Sequence, residues 1–189
     1  SSHKIGGPVG VGALIVDSAA KLTPILHGGG QEREVRSGTL DPASISAFAA
    51  AVRFSISELD QHVIMLRELQ QYLVESVTQA VPDAILNGPP PGRLRLPNNT
   101  HFSFPGCEGE SLLMLLDAAG IDCSTGSACT AGIPEPSHVL LSMGVDEKTA
   151  RASLRFSLGR DSSREGIDQL ARALPGVVER AQRAGSVSV

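Results

Sequence analysis

One cysteine, Cys129, lies at the centre of a short segment of small residues, where a thiol could act as a nucleophile. Residues 126–132 are otherwise glycine, serine, alanine and threonine, with a glycine at each end. Small neighbours leave a sulfur uncovered, and glycine permits backbone conformations that other residues resist, so the pattern predicts a reactive thiol on a loop. The alternative is a buried structural cysteine, because free cysteine is among the most buried residue types.

Two basic residues, Lys4 and Arg155, have neighbours in the sequence that make them worth considering. Lys4 follows His3 and precedes a turn rich in glycine. A lysine in this position is commonly a solvated surface charge, and its type alone does not favour catalysis. Arg155 lies on a predicted strand, and a planar guanidinium can pair with both oxygens of a carboxylate, at about 1.5–3 kcal/mol. The alternative for Arg155 is a surface salt bridge.

A glycine-rich segment predicts a site for an anion. Residues 28–30 are three glycines, and Arg33, Arg36 and Thr39 follow. Such a loop exposes backbone amides, and guanidinium and hydroxyl groups are natural partners of phosphate. The loop, the arginines and the threonine together therefore indicate phosphate binding more strongly than the glycines alone.

Composition excludes several functional classes. The net charge of −4 argues against a dedicated nucleic-acid binder, and no apolar run reaches the roughly 20 residues that span a bilayer. Three cysteines are too few for a disulfide framework, which favours a reducing cytoplasm. We expect Cys107 and Cys123 to be structural. The histidines and cysteines lack the close paired spacing of a zinc site, so we expect no metal.

Short elements alternate along the chain, which predicts an α/β domain. Apolar residues at spacings of three and four predict a long helix from Asp41-Pro42 to about Pro82, continuous or broken once. The remaining predictions are strands at 12–16, 99–104, 121–124 and 154–157, and helices at 108–119, 135–144, 146–152 and from 164 onwards.

Five motifs, taken in order, resemble those of one enzyme family. They are residues 1–4 with Gly7-Pro8, residues 28–33 with 36–39, residues 124–129, residues 135–140 and residues 155–160. Together they resemble the cysteine desulfurases, in the branch with a long cysteine loop that serves iron–sulfur cluster assembly. The resemblance runs from Ser1 to about Arg160. It implies the C-terminal part of a fold-type I transferase that depends on pyridoxal phosphate.

The resemblance also implies a division of the chain and a set of cofactor contacts. Residues 1–40 would end the large domain, residues 41–82 would form a long linking helix, and residues 83–189 would form a small α/β domain. Lys4 would hold pyridoxal phosphate as a Schiff base. The groups that contact the cofactor phosphate would be Ser1, His3 and, from the other subunit, Thr39.

The reaction that the resemblance implies converts L-cysteine to L-alanine. Arg155 would bind the carboxylate of the substrate, and the thiolate of Cys129 would take its sulfur as a persulfide. A sulfur acceptor or iron–sulfur scaffold protein would then receive the sulfur. Because Thr39 would serve the other subunit, the resemblance implies a homodimer with shared active sites. The composition described above predicts a cytoplasmic protein with neither nucleic acid nor membrane as partner.

The sequence also departs from the family. Val9 stands where lysine is common and Glu34 where glycine is common. An aspartate for the pyridine nitrogen and a histidine that stacks on the ring, which in the family precede the lysine, are not among these 189 residues. We therefore expect a C-terminal portion of a longer protein that is inactive by itself. The alternatives are a selenocysteine lyase or another pyridoxal phosphate enzyme of this fold, and a fragment that acts only in dimerisation or scaffold docking.

Overall fold

The computed structural model describes the backbone of residues 1–125 and 135–186. The chain divides into an N-terminal unit, Ser1–Asp60, and a C-terminal unit that begins at Gln61. The boundary falls inside the segment for which the sequence predicts a linking helix. The three-part division into residues 1–40, 41–82 and 83–189 stays a prediction.

The N-terminal unit begins with a short 3-10 helix, Ser2–Ile5, that ends at Gly6. Gly6 has a φ of 81°, a left-handed conformation that glycine adopts without strain. The backbone N–H of Ser2 donates to the carbonyl of Val11 (3.0 Å), and that of Gly7 donates to the carbonyl of Ser2 (3.0 Å). These bonds fold the first residues into a closed turn.

The strand predicted at residues 12–16 is wrong. The segment forms no strand, and Ile15 is 97% exposed. A strand is stable only when its backbone groups pair with a neighbour, and no described residue pairs with this segment.

The predicted long helix consists of two helices, α1 (Pro42–Ser57) and α2 (Leu59–Ala80). Asp41 caps α1 by accepting hydrogen bonds from the backbone N–H (3.1 Å) and hydroxyl (2.6 Å) of Ser44. Proline at the first helical position needs no hydrogen-bond donor there. The break lies at Glu58, and α1 buries none of its residues.

The C-terminal unit contains an antiparallel sheet in the order β1-β2-β3. The strands are β1 (Ile85–Leu86), β2 (Asn99–Ser103) and β3 (Ser153–Ser157). In the register of β2 and β3, His101 lies opposite Arg155 and Phe102 lies opposite Leu154. The predictions for β2 and β3 are confirmed. Residues 121–124 instead form only an isolated bridge, from Ser124 to Arg155.

The helices of this unit are α2, α3 (Gly109–Asp117), α4 (His138–Ser142), α5 (Glu147–Arg151) and α6 (Arg164–Ser186). The predicted helices at 108–119, 146–152 and 164 onwards are confirmed, and the helix predicted at 135–144 is shorter than expected. Asp146 caps α5 by accepting a hydrogen bond from the backbone N–H of Thr149 (3.0 Å). No helix in the described ranges is both long and apolar enough to span a bilayer.

One hydrophobic core joins the sheet to three of these helices. Apolar side chains at helical spacing on α2, α3 and α6 meet the inward-facing side chains of the strands. The largest fully buried members of the core are Leu73, Val77, Phe102, Phe104, Leu112, Leu116, Leu154 and Leu174. Phe102 and Leu154 come from the paired strands, so the register of the sheet is fixed by the core.

Candidate functional site

Lys4 is exposed on the turn that opens the N-terminal unit. Ser1 and His3 are exposed beside it in the sequence, whereas Ser2 is fully buried. The hydroxyl of Ser2 has no hydrogen-bond partner among the described residues. A Cβ built on Gly7 would lie 2.0 Å from that hydroxyl, so only glycine leaves room for it. The turn thus presents one amine, one imidazole and one hydroxyl to solvent.

The glycine-rich segment forms a compact loop in the same unit. The side-chain oxygen Oε1 of Gln31 accepts a hydrogen bond from the backbone N–H of Gly38 (2.9 Å), which joins the two ends of the loop. Between them, Glu32, Arg33 and Glu34 have φ values of 50°, 56° and 63°. Such values are uncommon for residues other than glycine. Thr39 follows the loop and is exposed.

Arg155 lies in a different unit, on the wall of a pocket of about 320 Å³. The residues that line this pocket are Asn87, Gly88, Pro89, Leu94, Arg95, Leu96, Asn99, His101, Ser137, Val139, Leu140, Met143 and Arg155. Among the described residues, the lining contains two guanidinium groups and no carboxylate. Arg155 forms no ion pair with a carboxylate in the described part of the chain. The pocket therefore suits an anion.

The second arginine, Arg95, holds the loop between β1 and β2. Its guanidinium donates hydrogen bonds to the backbone carbonyls of Pro89 (2.5 Å), Asn99 (3.3 Å) and Asn87. Burial lowers the pKa of Arg95. The side chain of Gln70, on α2, donates to the carbonyl of Asn99 as well (3.0 Å). Arg95 is thus engaged with the backbone, whereas Arg155 presents its charge to the pocket.

His101, on β2, lines the same pocket as the two arginines. Its Nδ1 is 3.1 Å from Nδ2 of Asn87, and the same Nδ2 donates to the hydroxyl of Ser103 (2.9 Å). Burial, then the charge of Arg155 and then that of Arg95 lower the pKa of His101 to about 4. The imidazole is therefore neutral at physiological pH.

Cys129 lies outside the described residues, and the other two cysteines are structural, as the sequence predicts. Cys107 is buried in the core, and its thiol lies 3.7 Å from the carbonyl of Val178. Burial and the neighbouring Glu108 raise its pKa to about 11. Cys123 is half-buried, and burial, Asp122 and Asp117 raise its pKa to about 11 as well. Neither thiol is a nucleophile at neutral pH, because the thiolate is the reactive form.

The structure brings together part of the predicted site. Ser1, His3 and Lys4 share one turn, and Arg155 lines a pocket. Sequence reasoning missed Asn87 and His101, which line the same pocket. The signal for His101 was available, because a polar residue on a strand whose neighbours are buried must face a polar pocket or a partner. No group of three or more metal-ligating side chains occurs among residues 1–125 and 135–186.

Comparisons with known proteins agree with the motifs. The family model for class-V aminotransferases matches residues 1–170. An "IscS-like cysteine desulfurase" of Mycobacterium tuberculosis is 52% identical over 184 residues, which cover 97% of this chain and 47% of that protein. A "cysteine desulfurase IscS" of Clostridium botulinum is 43% identical over 180 residues, which cover 95% of this chain and 45% of that protein.

Solved structures give the same result for the fold. A structure described as a NifS-like protein superimposes with a TM-score of 0.83 at 31% identity, over 95% of this chain and 45% of that one. A NifS-like protein from Rickettsia africae gives a TM-score of 0.72 at 29% identity, over 85% of this chain and 41% of that one. These comparisons confirm the resemblance and the partial fold-type I architecture. The chain spans about half the length of the curated relatives that it matches, and it belongs to the class-V aminotransferase family.

Proposed function

We propose that the full-length protein is a cysteine desulfurase that depends on pyridoxal phosphate. The observation that carries this proposal is the identity of 42–52% to relatives named cysteine desulfurase over almost the whole of this chain. A pocket that suits an anion and contains Arg155 supports it, because the substrate of such an enzyme carries a carboxylate. The substrate would be L-cysteine and the products L-alanine and a persulfide.

The N-terminal turn fits pyridoxal phosphate. An exposed amine is required to hold the aldehyde carbon, and Lys4 supplies one. Hydroxyl and imidazole donors are required for the phosphate, and Ser1 and His3 supply them from the same turn. The buried hydroxyl of Ser2, which has no partner in the described part of the chain, adds a polar group beneath that turn. When bound, the cofactor supplies an electron sink for charge that develops at the substrate Cα.

The remaining chemistry belongs to side chains of this chain. Arg155 would bind the carboxylate of the substrate, and Lys4 would take the proton from its Cα. The thiolate of Cys129 would attack the substrate sulfur, so that a bond forms between the two sulfurs while the bond from the substrate sulfur to Cβ breaks. The electron pair of the broken bond would remain on the carbon skeleton, and alanine would form when Cβ takes one proton and Cα regains the proton that Lys4 removed. The sulfur would remain on Cys129 as a persulfide.

The partners follow from the same proposal. Thr39 is exposed after its loop, which supports a contact with the cofactor phosphate of a second subunit in a homodimer. The persulfide on Cys129 would pass to a sulfur acceptor or an iron–sulfur scaffold protein, and the enzyme would work in the cytoplasm. These partners fit an enzyme that serves iron–sulfur cluster assembly.

The test assays the full-length protein, loaded with pyridoxal phosphate and supplied with L-cysteine, for alanine and for the sulfide that dithiothreitol releases by reducing the persulfide. We expect Lys4→Ala and Cys129→Ser to abolish both products and Arg155→Ala to raise the KM for cysteine. Cys123→Ser is the matched control and should retain activity, because its thiol is protonated. Sulfide release by Cys129→Ser at the unsubstituted rate would refute the role of Cys129. Activity with selenocysteine alone would identify a selenocysteine lyase.

A further inference from the structure

His101 and Arg155 form a close pair across the sheet. The backbone of Arg155 pairs with Ser124 (2.6 and 3.1 Å), on the far side of β3, and the carbonyl of His101 accepts from the N–H of Asn87 (2.9 Å), on the far side of β2. The two residues are opposite in register. They therefore form a non-hydrogen-bonded pair, the type of antiparallel pair in which side chains lie closest.

The hydrogen bonds of His101 determine which ring nitrogen carries the proton. The amide nitrogen of Asn87 only donates, so Nδ1 of His101 accepts, at 3.1 Å. A neutral imidazole with an accepting Nδ1 carries its proton on Nε2. In this orientation the same amide nitrogen also donates to the hydroxyl of Ser103 (2.9 Å). Nε2 has no hydrogen-bond partner in the described ranges.

The charges around His101 keep it in this state. Arg155 faces it from β3, Arg95 faces it from the loop between β1 and β2, and no carboxylate lines the pocket among the described residues. A positive charge on His101 would be repelled by both guanidinium groups. The pocket thus places a neutral N–H donor beside a guanidinium that has no carboxylate partner in the described part of the chain.

We propose that His101 is a carboxylate-binding residue: its Nε2–H donates to the carboxylate that Arg155 pairs with, so that one charged and one neutral donor hold the substrate. The inference rests on the proposed function, which supplies an amino acid as substrate. A hydrogen bond to a charged acceptor is stronger than one between neutral groups, so the loss of this donor should be measurable in binding.

The experiment uses the full-length protein loaded with pyridoxal phosphate and two fragments of cysteine. 3-Mercaptopropionate keeps the carboxylate and lacks the amine, whereas cysteamine keeps the amine and lacks the carboxylate. The variants are His101→Met, which removes the donor, and His101→Gln, which has a similar shape and keeps an N–H donor. We expect His101→Met to raise the Kd of 3-mercaptopropionate about 10-fold in calorimetry, and His101→Gln to raise it less than about 3-fold.

The amine fragment is the control. The affinity for cysteamine should change less than about 2-fold in both variants, because cysteamine has no group for His101 to bind. In the turnover of L-cysteine, the loss in His101→Met should appear in KM more than in kcat. A general loss of structure would weaken both fragments and is thereby distinguished from loss of the donor.

Arg155→Ala separates the two proposals. If Arg155→Ala abolishes binding of 3-mercaptopropionate and His101→Met binds it normally, the role of His101 is refuted and that of Arg155 stands. If Arg155→Ala binds it normally, the assignment of the pocket to the substrate fails. Nitrogen NMR of the unsubstituted protein needs no variant: Nε2 of His101 should be protonated and should shift when 3-mercaptopropionate is added. An unshifted signal at saturation would overturn the proposal.

Discussion

Gly109, at the start of α3, lies against the backbone of Arg151, at the end of α5. A Cβ built on Gly109 would be 2.7 Å from the carbonyl oxygen of Arg151 and 3.3 Å from that of Ser153. Both of these atoms are backbone, so neither can move without moving the start of β3. The close approach therefore helps to set the position of the strand that carries Arg155.

Gly109→Ala should destabilise the protein by about 1–3 kcal/mol, because an inserted methyl group forces the backbone to shift. Gly176→Ala on α6 is the matched control, since nothing lies within 4 Å of a Cβ there. It should be neutral or stabilising by up to about 1 kcal/mol, because alanine favours a helix over glycine. Urea unfolding of both variants measures the difference. Equal stabilities would contradict the role of this contact.

Gly7→Ala should disturb the turn that presents Lys4. The added Cβ would lie 2.0 Å from the hydroxyl of Ser2 and 3.1 Å from Cβ of Ala51, so the buried serine has to move. We expect less modification of Lys4 when the full-length variant is incubated with pyridoxal phosphate, reduced with borohydride and mapped by mass spectrometry. Gly12→Ala is the control, because a Cβ there comes no closer than 3.7 Å to its neighbour.

The sequence predicts the elements of the C-terminal unit better than those of the N-terminal unit. Strands such as β2 and β3 bury alternate side chains in a core that this chain itself supplies, so their periodicity is informative. The apolar segment 12–16 has no such partner among the described residues and stays exposed. An apolar sequence pattern alone does not reveal whether the strand or core against which a segment would pack is part of the same chain.

The sequence also predicts some residues of the candidate site and misses others. Motifs predicted Lys4 and Arg155 because their residue types and neighbours are distinctive. Asn87 and Arg95 were missed because their roles depend on contacts across a loop, from Arg95 to the carbonyl of Pro89 and from Asn87 to His101. Local sequence does not encode such contacts. They appear only when the sheet register places β1, β2 and β3 side by side.

His101 should make the protein less stable in acid. Its pKa is about 4 in the fold, lowered by burial and by Arg155, and about 6.5 when the chain is unfolded. Below pH 6.5 the unfolded chain binds the proton first, so stability that is fully present above that pH is lost as the pH falls toward 4. The whole pKa difference corresponds to about 3 kcal/mol of folding stability, and solvent screening of a half-buried ring reduces this to about 1–2 kcal/mol.

The measurement is the free energy of unfolding of the full-length protein and of its His101→Gln variant, at pH 7 and at pH 4.5. The difference between the two proteins should change by about 1 kcal/mol or more over this range, because glutamine does not titrate. Since many carboxylates titrate in the same range, only this difference reports on His101. A difference that stays constant would mean that His101 has an ordinary pKa in the fold.

The three thiols should differ in their rates of alkylation. Cys107 and Cys123 have pKa values of about 11, so at pH 7.5 fewer than about one in a thousand of either is thiolate. Under the proposed function Cys129 is the nucleophile, and iodoacetamide should modify it alone in the folded full-length protein. Peptide mapping by mass spectrometry measures the alkylation of each cysteine. Urea at about 8 M unfolds most domains and should make the three alkylation rates equal. Modification of Cys123 as fast as Cys129 would contradict the prediction, because it would show a reactive thiolate at Cys123. Either cysteine could then be the sulfur carrier.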